Sequence, residues 1–225
     1  KVLNVVPDAF AGFKKLKNAE FKAQSAPYVM LSLGTGAFQE TTIETLDLTE
    51  ARINILYPLF EYNNVTLKKV IMSKYVTILD NMALADCIQL GEVDFSQSTK
   101  LAAIGDGALS NTVVPEYDFS KCYETSNTPS LHYTSWLDFS GTDNPFVNGT
   151  TTTNKNLTTV KLPKHPSLNC PVTTIGTTFA DCEVLTTIES LDVSMVTTVP
   201  DGAFANDKSL PTLEFPLALT TVAGS

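Results

Sequence analysis

The chain has 225 residues, 43% of them hydrophobic, and 24 Asp and Glu against 15 Lys and Arg give it a formal net charge of −9. So acidic a balance argues against nucleic-acid and anionic-membrane partners, which call for basic patches. No apolar run approaches the ~18 residues a spanning helix needs, so no membrane insertion is expected, and the apolar content suffices for a large core.

From the amino end onward two marks recur. The first is a large apolar residue, usually after a small one: Ala9-Phe10, Ala37-Phe38, Leu59-Phe60, Ala83-Leu84, Ala108-Leu109, Phe146, Phe179 and Ala203-Phe204, with no clear instance over 121–130. The second is an apolar-x-apolar run about 11 residues later: Ala19-Glu-Phe21, Leu46-Asp-Leu48, Val70-Ile-Met72, Val93-Asp-Phe95, Tyr117-Asp-Phe119, Leu137-Asp-Phe139, Val160-Lys-Leu162, Ile188-Glu-Ser190 and Leu213-Glu-Phe215. Between them a return leg repeats its own apolar pair, as in Leu101-Ala-Ala-Ile104-Gly and Val172-Thr-Thr-Ile175-Gly. Successive runs end 20 to 28 residues apart, which predicts a leucine-rich solenoid whose units bury their apolar faces only against neighbours. About nine units are expected, stacking as parallel strands of one sheet at about 4.8 Å per strand, with short irregular, 3-10 or helical return segments.

Local features modulate that pattern. Lys14, Lys15, Lys17 and Lys22 make the amino end basic, a solvated face. Residues 111–130 are compressed, and 141–158, with Gly141, Asn144-Pro145, Asn148-Gly149 and Thr150 to Thr153, is a turn-rich polar stretch expected to form a loop insertion. Cys87 and Cys182 share a slot three residues after their anchors, where a buried small side chain belongs. Free thiols are expected, with a Cys170–Cys182 bridge as the alternative. His132 and His165 show no ligand spacing with these cysteines, so no metal or other cofactor is implied. Sequons at Asn64, Asn148 and Asn156 are no more than so Thr-rich a chain produces by chance. The chain opens and closes inside a repeat, and since solenoids need capping units it is expected to be a fragment of a longer protein.

Four stretches, Ile104-Gly-Asp-Gly-Ala-Leu109, Leu157-Thr-Thr-Val-Lys-Leu-Pro163, Ile175-Gly-Thr-Thr-Phe-Ala-Asp-Cys182 and Val199-Pro-Asp-Gly-Ala-Phe204, resemble the unit of BspA-like leucine-rich repeat proteins. The resemblance runs over essentially the whole chain, well at 79–110 and 157–222 and poorly at 111–156. It implies a cell-surface or secreted protein that adheres to host or bacterial surface proteins or glycans, and it brings no catalytic residues.

The strand faces supply a candidate site. Alternate side chains of a strand point to opposite faces, so burying Val93 and Phe95 turns Glu92, Asp94 and Ser96 outward. Applied to every unit, this phase makes the central outward position Glu20, Asp47, Ile71, Asp94, Asp118, Asp138, Lys161, Glu189 and Glu214. The row is densest where Glu92, Glu116 and the single tryptophan, Trp136, flank it, followed by Ser96, Ser120 and Ser140. These nine residues, Glu92, Asp94, Ser96, Glu116, Asp118, Ser120, Trp136, Asp138 and Ser140, form the candidate concave binding face for a protein, a glycan or weakly bound cations. The competing readings are a solvated face that keeps the sheet soluble and a structural spacer of a larger surface protein. Asp94 and Asp118 on neighbouring strands would match the separation of a retaining glycosidase pair. Any strand ladder produces that spacing, however, and an open face offers no pocket to raise a carboxyl pKa, so no enzyme is expected.

Overall fold

The computed structural model describes residues 4–22, 29–60, 64–128, 131–137, 144–147, 154–215 and 219–222, and over 125–128 and 131–136 it describes the backbone. The strands, in chain order, are β1 (Asn4–Val5), β2 (Ser32–Leu33), β3 (Thr45–Asp47), β4 (Ile55–Leu56), β5 (Lys69–Ile71), β6 (Ile78–Leu79), β7 (Glu92–Asp94), β8 (Ala103–Ile104), β9 (Glu116–Asp118), β10 (Tyr123–Thr128), β11 (Leu131–Trp136), β12 (Thr159–Lys161), β13 (Thr187–Glu189), β14 (Thr198–Val199) and β15 (Thr221–Val222). Three-residue strands build a ladder face, as the parallel sheets β3-β5-β7 and β9-β12-β13. Two-residue strands build the return face, as β1-β2, β4-β6-β8 and β14-β15. No helix occurs among the described residues.

This is the predicted leucine-rich solenoid, with one correction to its count. Among the described residues, six ladder strands and the isolated parallel bridge between Glu20 and Asp47 make seven rungs rather than nine. The run at 213–215 is not a strand. Leu137 follows an antiparallel hairpin instead of sitting in a rung, and Asp138 and Phe139 lie outside the described residues. Nor is the ladder one hydrogen-bonded sheet. β7 ends the first and β9 begins the second, and the two meet through core rings, Phe95 and Phe119 having centroids 4.8 Å apart.

The anchors explain why the coils stack. Phe10, Phe38 and Phe60 form one column of rings with centroids 5.7 and 6.1 Å apart, and Phe146, Phe179 and Phe204 form another at 6.2 Å. Buried Leu84 and Leu109 fill the same slot between them. Each anchor turn donates to the next coil, from Phe38 N–H to Leu59 O, Leu84 N–H to Ala108 O and Leu109 N–H to Pro145 O. The turns require a left-handed residue, supplied by Gly36 at φ 68° and, four positions on, by Glu40; Asp86, Asn111, Asp181 and Asn206 repeat the second position. Two of the Ile-Gly and Leu-Gly steps have a separate cause: a Cβ on Gly34 or Gly105 would collide with the backbone of Pro7 or Asn81 in the preceding coil.

Coil continuity locates the irregular part of the chain. Leu101 N–H bonds Ser98 O, and Leu137 N–H bonds Cys122 O, just as Ser98 and Cys122 each donate to the ladder-end carbonyls of Phe95 and Phe119. Cys122 therefore stands where Ser98 does and Leu137 where Leu101 does, all four buried. Residues 123–136, the hairpin, replace the two residues Thr99-Lys100. The stretch 121–130 lacks an anchor because from residue 123 on it belongs to this insertion, and the ladder passes from β9 directly to β12. Within the polar stretch expected over 141–158, the structure describes 144–147 and 154–158, and buries Phe146, Val147 and Leu157 in the core. All four cysteines are free, with Cys87, Cys122 and Cys182 buried.

Candidate functional site

Register decides which of the predicted site residues meet. β5 pairs with β7 so that Lys69 lies opposite Glu92 and Ile71 opposite Asp94, while β12 pairs with β9 so that Thr159 lies opposite Glu116 and Lys161 opposite Asp118. Val93, Tyr117 and Val160 point into the core, and Glu92, Glu116 and Asp118 are exposed with Asp94 half-buried. The phase read from the sequence therefore holds for Glu92, Asp94, Glu116 and Asp118, which share one face on β7 and β9.

Lysines divide the acidic row. Lys69 Nζ lies 2.6 Å from Glu92, Lys161 Nζ 2.6 Å from Glu116, and Lys68 Nζ 2.8 Å from Glu44. Its hydrogen bond to Glu116, together with the charges of Glu116, Asp118 and Glu189, raises the Lys161 ammonium pKa against a smaller desolvation. The hydrogen bond to Glu92 does the same for Lys69, with Asp94 adding to it. The four carboxylates of β7 and β9 are thus flanked by one lysine on each side, Lys69 on β5 and Lys161 on β12. The signal was in the sequence, as lysine at the outward positions 69 and 161.

The aspartates have a local task as well. Asp94 accepts the Ser96 N–H at 2.8 Å, Asp118 the Ser120 N–H at 2.9 Å, and Asp47 the Thr49 N–H at 2.9 Å. Each closes the turn that ends its strand, which is why a short acceptor recurs there. Hydrogen bonds from the Ser96 hydroxyl and amide, with Lys69 nearby, hold Asp94 below the usual carboxylate range. An ionised Asp94 is a hydrogen-bond acceptor and does not serve as the proton donor of such a pair. No group of three or more His, Cys, Asp or Glu able to hold a metal ion occurs among the described residues.

Ser96 and Ser120 stay beside the aspartates that accept their amides, but the tryptophan does not. Trp136 lies on β11 opposite Tyr123, in the hairpin and not on a rung; Asp138 and Ser140 lie outside the described residues. Sequence reasoning missed the hairpin base, where the Tyr123 ring meets the His165 ring edge-on with centroids 5.0 Å apart and Glu124 lies 3.4 Å from Lys100. Successive residues of β10 thus reach the following and the preceding coil. Two of the sequons also acquire a structural reading: Asn64, 7% exposed, caps the amides of Thr66 and Leu67, and the Asn156 amide group donates to Thr112 O, while Asn148 lies outside the described residues.

The BspA type leucine rich repeat region matches this chain in six copies, over residues 3–135 and 148–225. Among curated proteins none matches. Two crystal structures are similar, each at 18% identity: a leucine-rich repeat protein from Bacteroides ovatus, with a TM-score of 0.43, and a leucine rich cell surface protein from Faecalibacterium prausnitzii, with a TM-score of 0.36. Each alignment covers 99% of this chain, which spans 66% of the length of either structure.

Proposed function

The chain belongs to the BspA-type leucine-rich repeat family, and on that premise we propose that it is a non-catalytic binding module, acting at the cell surface or in secreted form, whose ladder face around β7 and β9 contacts a protein or glycan. The observation that carries this reading is the pair of ion pairs that flank the carboxylates of β7 and β9. Glu92 and Glu116 are held by Lys69 and Lys161 at 2.6 Å, so polar donors and acceptors stand at fixed positions on an open strand face. Preorganised groups of this kind lose little side-chain freedom when a ligand binds, which lowers the cost of association. Weak cation binding by the same carboxylates is a subordinate part of the proposal, since lysines already occupy much of their field.

A spacer role is the second reading, and one observation favours it: Asp47, Asp94 and Asp118 are explained by the turns they close. Glu92 and Glu116 close no turn, so they separate the two. Peptide and glycan arrays probed with wild type and with Glu92→Gln/Glu116→Gln are expected to show at least one ligand class retained by the first and lost by the second. Identical array profiles would leave the ladder without a binding role and support the spacer.

A further inference from the structure

The six-residue strands of the hairpin are the longest in the described chain, and each pairs only with the other. Thr128 lies opposite Leu131, so two residues close the hairpin, and in such a closure the last pair exchanges both of its hydrogen bonds. Alternation fixes the rest. Ser126–Tyr133 and Glu124–Ser135 are hydrogen-bonded pairs, whereas the residues of Asn127–His132, Thr125–Thr134 and Tyr123–Trp136 turn their backbone N–H and C=O groups outward. The outer edge of β11 thus presents the amides and carbonyls of His132, Thr134 and Trp136 at regular intervals, with no strand among the described residues to take them up.

Proteins ordinarily guard such an edge with lysine, proline, a bulge or a very short strand. Here neither strand contains Lys, Arg or Pro, the pairing has no bulge, and each strand is twice as long as any rung. The single carboxylate is Glu124 on β10, answered by Lys100 at 3.4 Å, and β11 carries no formal charge with His132 neutral. Two copies of a chain with net charge −9 repel over most approaches; β11 itself brings no formal charge to such an approach. The base of β10, by contrast, is engaged by His165 and Lys100.

We propose that β11 pairs with β11 of a second copy, antiparallel and about a twofold axis, with Thr134 opposite Thr134 and His132 opposite Trp136. The result is a four-stranded sheet, β10-β11-β11-β10, in which the outward groups of three residues on each copy are paired. Such a contact is isologous and closes at the dimer. It is independent of the ladder as a ligand face.

Sedimentation equilibrium and light scattering of the 225-residue chain over a concentration series should give a mass rising to twice 24.4 kDa. Thr134→Pro removes an outward amide and spares every bond within the hairpin, so it should return the monomer mass with an unchanged circular dichroism spectrum. Thr134→Lys, which keeps the amide but sets two like charges opposite each other, should do the same. Thr125→Pro makes the equivalent change on the outer edge of β10 and should leave the dimer intact. The proposal is overturned by a monomer at every concentration, by a dimer that survives both Thr134 variants, or by a dimer lost in Thr125→Pro alone.

Discussion

Lys161 Nζ donates to Glu116 Oε1 at 2.6 Å across 45 residues of chain, whereas the same kind of cross-coil contact between Lys68 and Glu44 spans 24. The extra chain leaves the coil and comes back without displacing the next rung.

Phe38 is 3% exposed between Phe10 and Phe60, so truncation leaves a ring-sized void that neighbours on both sides border. Phe38→Ala should cost about 3–5 kcal/mol. Phe204 is half-buried and stacks only on Phe179 among the described anchors, so Phe204→Ala should cost less. Urea unfolding of the two variants checks the order; equal losses would contradict the column.

Asn64 Oδ1 accepts the Thr66 N–H at 3.0 Å and the Leu67 N–H at 2.7 Å, and Asn154 repeats the arrangement with Asn156 and Leu157. Removing the acceptor strands buried amides, so Asn64→Ala should destabilise by about 1–3 kcal/mol. A loss within error of zero would show that water replaces the side chain.

Asp207 stands three residues after its anchor, a slot that holds buried Thr41, Cys87, Thr112 and Cys182 elsewhere. Burial pushes its carboxyl up to about 7, opposed by the Cys182 N–H on Oδ1 and assisted by Asp181, while Oδ2 is buried without a partner. The folded value lies above the unfolded one of about 3.9, so between about pH 4 and 7 the folded chain holds a proton that the unfolded chain has released. Stability from this group is present below that window and is lost as pH rises through it. Urea midpoints at pH 5 and pH 8 should therefore differ more for wild type than for Asp207→Asn; identical differences would contradict the assignment.

The coil was legible in the sequence because its anchors are large, apolar and regularly spaced, and burying Val93, Tyr117 and Val160 leaves only one phase for Glu92, Asp94, Glu116 and Asp118. Apolar spacing alone could not separate an inserted segment from two weak units. The residues of β10 and β11 are mostly polar, and Leu137-Asp-Phe139 has the apolar spacing of a rung, which draws Trp136 into the ladder when the sequence is read alone. The partner of Lys161 was illegible for a different reason, although lysine at outward positions 69 and 161 was there to read. Whether Lys161 meets Glu116 depends on which coil follows which, and that is known only once residues 123–136 are recognised as an excursion.

The most direct test replaces residues 123–136 with Thr-Lys, the two residues that join Ser98 to Leu101 in the preceding coil, and follows urea unfolding of the product. If the hairpin is an excursion from a continuous solenoid, the variant keeps a single cooperative transition at a midpoint near that of wild type, because Cys122 and Leu137 then meet as Ser98 and Leu101 do. Loss of cooperative unfolding, or a chain that no longer folds, would mean that these residues form a coil the stack requires, and would contradict the account.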